Sequence, residues 1–417
     1  MPEVGASAKN VPEMAGGQSM RIFMVSPHYY PDTFQVTALS AALVRRGHQV
    51  RILTGLPDYT TSRVPEAYRY FKNRRQWIDG VEVVRIPVIA RRSGAFFRCM
   101  NYLSFALTAA IYCLFMRWQF DVIYVYGISP VTVIFPAAVL KKISNKKLFY
   151  YCMDIWPECV KVYGIGEGSL FYSIISWLSR GLYRQCDHIA VTSKPFIDYL
   201  HYVNDVPFEK MEYLPQEAGD DYLSQDLTTE PDGITNFVFM GNIGKAQDVA
   251  CIIEAADRLK GTPGFRIHLV GDGSDAERCR VLVREKALEN QILFYGRRPH
   301  EEMEDYYRLA DACLLTLNGD TAVGLTLPAK LQGYMAAGKP VIAAADGAVR
   351  EVITESGCGL CTGAGDAEGL AELLLRFMEN TTQYSSCGER GRAYFKKHFT
   401  EERHLNQLEK QLGELIQ

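Results

Sequence analysis

Arg21-Ile22-Phe23-Met24-Val25, then Val36, Leu39, Leu43 and Val44 at helical spacing, then Val50-Arg51-Ile52-Leu53-Thr54, read as strand, helix and strand. Gly47 stands where the helix should stop. Such a βαβ unit implies an α/β fold with a parallel sheet and right-handed crossovers. The alternation continues outward through Val122-Ile123-Tyr124-Val125, Leu148-Phe149-Tyr150-Tyr151 and Ile189-Ala190-Val191-Thr192, with apolar helical stretches between them. A second series starts at Phe237-Val238-Phe239-Met240-Gly241 and runs through Ile267-His268-Leu269-Val270-Gly271, Ile292-Leu293-Phe294-Tyr295-Gly296 and Cys313-Leu314-Leu315. Ligands of open α/β sheets lie beyond the carboxyl ends of the strands, so these glycine turns mark the cleft side of the second domain.

Gly219, Asp220-Asp221 and Pro231-Asp232-Gly233 interrupt the pattern between the two series, as a linker does. At 417 residues the chain also exceeds the size at which one core usually keeps growing. The expected division is a disordered extension over 1–19, a Rossmann-like domain over 20–216, a linker over 217–235 and a second Rossmann-like domain over 236–398. The last helix, 399–417, carries Leu405, Leu408, Leu412 and Ile416 on one face, with packing back onto the amino-terminal domain as one option.

A net charge of -3 gives no basic field, so nucleic acid is not an expected partner. Eleven scattered cysteines, mostly in apolar runs, read as buried free thiols. Only Cys358 and Cys361 form a CxxC, without a second pair at zinc spacing, and no metal site is expected. No secretory signal opens the sequence, which gives the expectation of a reducing cytoplasm. After the first strand stands Ser26-Pro27-His28-Tyr29-Tyr30 rather than GxGxxG, which speaks against a dinucleotide-dependent dehydrogenase.

Two stretches carry chemistry. Met240-Gly241-Asn242-Ile243-Gly244-Lys245-Ala246-Gln247 joins a strand to a helix, where glycines admit a ligand to the backbone and Lys245 offers charge to a diphosphate. The same residues also read as an ordinary βα turn with a surface lysine. From Gly324 to Ala343 a loop enters a helix at Pro328, and Gly338 and Pro340 end it before a buried strand. Thr326, Lys330 and the N–H groups of the helix start are candidates to hold phosphate oxygens.

With these residues the sequence resembles the family-4 glycosyltransferases, in a WbuB-like branch linked with fucosamine transfer and cell-surface polysaccharide assembly. The resemblance runs from residue 20 to the end. Its matching pieces are Ser26 to Asp32, Arg46 to Val50, Leu53 to Tyr59, Asp154 to Glu158, Gly241 to Gln247, Val270 to Gly273, and Pro328 to Val341. It implies the GT-B fold, two Rossmann-like domains with parallel sheets facing a central cleft. It also implies retaining transfer of a hexosyl or N-acetylaminosugar unit from a nucleotide sugar, expected to be a UDP-sugar. The acceptor hydroxyl would belong to a lipid-linked glycan of polysaccharide or O-antigen assembly. The implied donor site comprises Gly241, Asn242, Gly244, Lys245, Gln247, Gly271, Arg297, Thr326, Pro328, Lys330 and Leu331, with Arg297 and Arg298 in the segment beside the base. On the acceptor side Asp154 and Glu158 are the candidates to orient the hydroxyl, with structural capping as the other reading.

Relatives often carry two glutamates eight positions apart, where this chain has Leu325 and Gly333. Thr33 and Phe34 replace an amino-terminal glycine pair. Glu351 is the expected substitute on the ribose. These departures keep open an inactive homologue acting as a binding partner, and the shared architecture keeps open a sugar-nucleotide 2-epimerase.

Breaking the sugar–diphosphate bond develops negative charge on the leaving group, which cationic and N–H donors must meet. Lys245, Lys330 and helix amino termini are expected to do this without a metal or other cofactor. Finally, Cys99 to Met116 is an uncharged run bracketed by Arg91, Arg92 and Arg98 before and Arg117 after. A span would separate the first βαβ unit from its own sheet. The expectation is a helix lying on the inner face of the plasma membrane, with a buried crossover helix as the alternative.

Overall fold

The computed structural model describes residues 19–59, 62–92, 94–230, 232–319 and 322–417. Apart from Ser19, the extension expected over 1–19 lies outside the described residues.

The first half runs β1 (Arg21–Val25), α1 (Gln35–Arg45), β2 (Gln49–Thr54), β3 (Arg75–Ile78), β4 (Val81–Arg85), α2 (Ala95–Phe115), β5 (Val122–Gly127), α3 (Ile134–Ser144), β6 (Lys147–Cys152), α4 (Leu170–Tyr183), β7 (His188–Val191), α5 (Pro195–Asn204) and β8 (Met211–Tyr213). Its strands form one sheet in the order β3-β4-β2-β1-β5-β6-β7-β8, parallel except where β3 meets β4. The central strands are continuous apolar runs because helices cover both faces. On one side α2, α3, α4 and α5 share a core with Phe23, Val125 and Tyr150. The other side is covered by α1 and by the last helix of the chain.

The β3–β4 hairpin was not expected from the apolar pattern. Its two-residue turn is Asp79-Gly80, with φ of +48° and +78°, the paired positive values that a tight hairpin of this hand requires.

The second half runs β9 (Thr235–Met240), α6 (Val249–Arg258), β10 (Phe265–Val270), α7 (Ala276–Glu285), β11 (Ile292–Gly296), α8 (Met303–Leu309), β12 (Ala312–Thr316), α9 (Ala329–Ala336), β13 (Val341–Ala344), α10 (Gly347–Ser356), β14 (Gly359–Thr362), α11 (Ala367–Glu379), α12 (Thr381–His398) and α13 (Glu401–Ile416). The sheet order is β11-β10-β9-β12-β13-β14, all parallel.

Helix α13 returns to the first half. Leu405, Leu408 and Leu412 are buried against Tyr124, Phe149 and Tyr151, and the Gln407 amide donates to the Tyr213 carbonyl at 2.6 Å. Arg46 and His48 meet Glu409 from the other side, each at 2.9 Å.

In each sheet the chain reverses its direction of travel once. The reversal lies between β1 and β5 in the first sheet and between β9 and β12 in the second. Crevices open at such switch points because the two flanking loops leave in opposite directions. The loops after these four strands are therefore where ligands should be sought.

Candidate functional site

The second switch point is bounded by the turn after β9 and the loop after β12. Gly241 has φ +134° and Gly271, after β10, has φ +141°. A Cβ at Gly271 would lie 1.8 Å from the Gly241 carbonyl oxygen, so only glycine lets these two turns pack. The turns are also tied together by the Ile243 N–H donating to the Asp272 carbonyl at 3.0 Å. From β12, the Thr316 hydroxyl donates to the Gln247 carbonyl at 2.6 Å and the Asn318 N–H to the Ala246 carbonyl at 2.9 Å. Asn242 and Gln247 hydrogen-bond each other across the turn at 2.9 Å.

Lys330 reaches into this cradle from the first turn of α9. Its Nζ is shielded from solvent, lies 3.9 Å from the centroid of the Phe239 ring, and has no hydrogen-bond partner among the described residues. A Cβ at Gly241 would stand 3.3 Å from it, so the missing side chain keeps the approach to the ammonium open. Burial pushes the Lys330 ammonium down to about 7. The site thus places the end of a lysine side chain directly beneath a glycine turn.

The other expected donor residues are distributed unevenly. Lys245 is exposed at the end of the turn, and Arg297 is exposed after β11. Pro328 takes the position just before α9, and Thr326 is half-buried in the preceding loop. Leu331 belongs to the core, and its N–H already donates to the Pro328 carbonyl at 3.0 Å. It therefore anchors α9 rather than facing the cradle. Asp275 is buried against the Arg278 guanidinium at 2.6 Å, which holds its carboxyl below the usual range. Among the described residues no cluster of three or more His, Cys, Asp or Glu is arranged to hold a metal ion.

At the first switch point Asp154, after β6, accepts from both the N–H and the hydroxyl of Ser129, at 2.8 and 2.7 Å. Ser129 follows β5, so Asp154 fixes the shape of that loop. Glu158 is buried, accepts from the Tyr199 hydroxyl at 2.9 Å and pairs with Lys161 at 2.9 Å. Glu158, Lys161 and Tyr199 line a cavity of about 510 Å³ that Gly319 and Leu325 close from the second half. In the loop after β1, His28 stacks on Phe34 at 5.1 Å and meets the edge of Tyr59 at 4.9 Å. Burial drops the His28 imidazole to about 4, leaving it neutral at neutral pH. Asp58, buried near Asp32, is pushed up to about 6 while accepting from the Arg91 N–H at 2.7 Å and Asn101 at 3.0 Å. The aromatic trio and this carboxylate pair were not singled out from residue chemistry, although His28, Asp32, Asp58 and Tyr59 stand in stretches that carry the resemblance.

Residues 33–216 match the family described as Glycosyl transferase 4-like domain, and residues 228–394 match Glycosyl transferases group 1. The chain therefore carries a glycosyl transferase 4-like domain followed by a group 1 domain, which together mark it as a glycosyltransferase. A curated relative, the putative colanic acid biosynthesis glycosyl transferase WcaI of Escherichia coli (strain K12), is 23% identical over 349 residues, which span 78% of this chain and 84% of the relative. Among solved structures, a sucrose-phosphate synthase from Thermosynechococcus elongatus superposes with a TM-score of 0.73 at 19% identity, covering 94% of this chain and 99% of that one. The Anabaena protein HepE, solved in complex with UDP, has a TM-score of 0.68 at 15% identity and covers 95% and 100%. The fold is GT-B.

In this glycosyltransferase the departures at Gly333 and Leu325 have structural reasons. A Cβ at Gly333 would stand 3.1 Å from the Tyr307 hydroxyl, and Tyr307 is buried against Tyr222 and Tyr334. That ring fills the space a longer side chain would need. Leu325 is turned to the other domain, where its side chain packs against the first core and its carbonyl accepts from the Ser193 hydroxyl at 2.5 Å. This position, where the resemblance leads one to expect a glutamate, here ties the two domains together. Glu351 is exposed on α10.

Proposed function

We propose that this glycosyltransferase moves a sugar from a UDP-sugar to a hydroxyl of a lipid-linked glycan in cell-surface polysaccharide assembly, with retention at the anomeric carbon. A hexosyl or N-acetylaminosugar unit of the WbuB-like, fucosamine-transferring kind is the proposed cargo. The observation that carries the reading is Lys330, a shielded ammonium without a hydrogen-bond partner among the described residues, beneath the Gly241 turn at the switch point. The diphosphate of a nucleotide sugar is the anion that fits there, and the HepE structure with UDP supports that choice of nucleotide. Lys330 and the more exposed Lys245 meet the charge that grows on the leaving diphosphate, while the first N–H groups of α9 add donors. Glu158 orients the acceptor hydroxyl from the cavity it lines, and Asp154 holds the Ser129 loop that follows β5. The protein works at the cytoplasmic face of the plasma membrane, with α2 lying against the lipid. A panel of UDP-sugars offered with lipid-linked acceptors tests this reading, and no release of UDP with any pair would favour an inactive binding homologue, which Leu325 and Gly333 keep in view.

Charge on Lys330 makes donor affinity depend on pH. Well below pH 7 the ammonium is largely charged before the donor arrives, near pH 7 about half of it is, and above pH 7 binding must take up a proton. Affinity for UDP should therefore weaken with rising pH, by up to about tenfold per unit above pH 7. Calorimetric titration between pH 7 and 9 reads this directly. Lys330→Arg, which cannot lose its charge, should flatten the slope, and a flat wild-type profile would contradict the assignment.

Because protein groups supply the positive charge, transfer is expected to continue in EDTA. Activity lost to the chelator and restored by magnesium or manganese would contradict this, and would turn attention to Asp272.

A further inference from the structure

The helix α2 is half core and half surface. Phe105, Ala109 and Cys113 are buried, while Leu103, Leu107, Ile111, Leu114 and Phe115 form a stripe more than half exposed along its outer side. The stripe does not end at α2. Helix α3 packs beside it and exposes Phe135 and Ile143, and α4 packs beside α3 and exposes Leu170, Phe171, Ile174 and Trp177, the last at 76%. All three helices rest on the same core beneath, so their outer sides form one face. The second domain has a sheet and helices of similar kind, yet between residues 236 and 398 the large hydrophobics exposed among its described residues are Val281 and Leu375. Packing needs alone would not produce such an asymmetry.

Charge follows the same division. Not one aspartate or glutamate stands in α2, α3 or α4, whereas α7, α8, α10 and α11 each carry two or more. Arg117, just after α2, and Lys142 and Lys146, at the end of α3, are exposed around the apolar face. An apolar surface without acidic residues and rimmed by exposed cations is complementary to a bilayer with anionic headgroups.

We infer that α2, α3 and α4 together form the docking surface for an anionic bilayer, with α4 as the edge nearest the cleft. The inference rests on the membrane reading given above and extends it from one helix to three. It also supplies a path for the acceptor. Tyr172, Ser176 and Arg180 lie one turn apart on α4 and line the cleft cavity, while Ile174 and Trp177 of the same helix face outward. A lipid-linked glycan seated beside α4 keeps its chain in the bilayer while its sugar enters the cavity that holds Glu158.

The test needs neither donor nor acceptor, so its outcome is separate from that of the transferase reading. The whole protein is sedimented with phosphatidylcholine vesicles, with and without phosphatidylglycerol, at low and high salt. Wild type should pellet with the anionic vesicles at low salt. Three double variants, Leu107→Ser with Ile111→Ser, Ile174→Ser with Trp177→Ser, and Lys142→Glu with Lys146→Glu, should each lose at least about tenfold in partitioning. All six positions are exposed, and circular dichroism checks that the variants are folded. Trp177 provides a second readout: tryptophan emission should shift to the blue on vesicle binding, and Trp177→Phe should abolish that shift while the protein still pellets. Wild type remaining in the supernatant overturns the proposal. So does an α4 variant that binds as well as wild type, which would confine the contact to α2. Self-association of the protein without vesicles, lost in the apolar variants, would make the face a dimer interface and overturn it too.

Discussion

Replacing Lys330 with alanine is expected to lower sugar transfer at subsaturating donor by at least about tenfold, because a charge-assisted contact contributes roughly 1.5 to 3 kcal/mol. The effect should appear in function and not in stability. Among the described residues the Nζ has no hydrogen-bond partner and lies against the Phe239 ring, and a buried cation so placed opposes folding. Thermal denaturation of Lys330→Ala should therefore match or exceed wild type while transfer falls. Lys245→Ala should also lose about tenfold or more. Its side chain is exposed, so little change in folding is expected there either. Unaltered transfer in both variants would remove the account of leaving-group stabilisation.

Gly271→Ala should have the largest structural effect of any single methyl in the donor site. The added Cβ would lie 1.8 Å from the Gly241 oxygen, and the backbone sits at φ +141°, where side chains are strained regardless of space. The obstacle is backbone, so no rotamer change relieves it. A cost of roughly 2 to 4 kcal/mol follows, lowering the melting temperature on the order of 10 °C. UDP binding should be lost with it, since the turn that must move is the roof over Lys330. Gly261→Ala is the control: φ there is +93°, but nothing lies within 4 Å of the added methyl. It should cost only the backbone term and leave nucleotide binding intact. A Gly271→Ala protein that melts within a degree or two of wild type would show that the two turns are not packed as described.

The fold was legible where burial on both faces writes long apolar runs. For that reason the strand at 21–25 was read to the residue, and those at 122–127 and 235–240 to within two residues at their ends. Strand β3 was not, because an edge strand with one exposed face carries Arg75 and Gln76 instead of an unbroken apolar run. Its Asp79-Gly80 turn was the available signal. Within the site, the glycine turns were legible because close backbone approach leaves a residue that nothing else can replace. Position along the chain could not reveal that Leu331 faces the core and Lys330 the cradle, since neighbours on a helix differ by about a quarter turn. Nor could it reveal that Leu325 serves the interface between the domains, a contact with Ser193 made across 132 residues of sequence. The two reversals of strand order, which locate both crevices, are properties of the sheets and have no local sequence mark.

The central claim is that the Gly241 and Lys330 cradle holds the diphosphate of a nucleotide sugar whose sugar is then transferred. The direct measurement is release of UDP by the purified protein on anionic vesicles carrying a lipid-linked glycan, across a panel of UDP-sugars, for wild type and Lys330→Ala. Acceptor-dependent release of UDP from at least one donor, reduced tenfold or more by Lys330→Ala, is the predicted result. Donor turnover equal in the two proteins, or none by wild type with any donor, would contradict it.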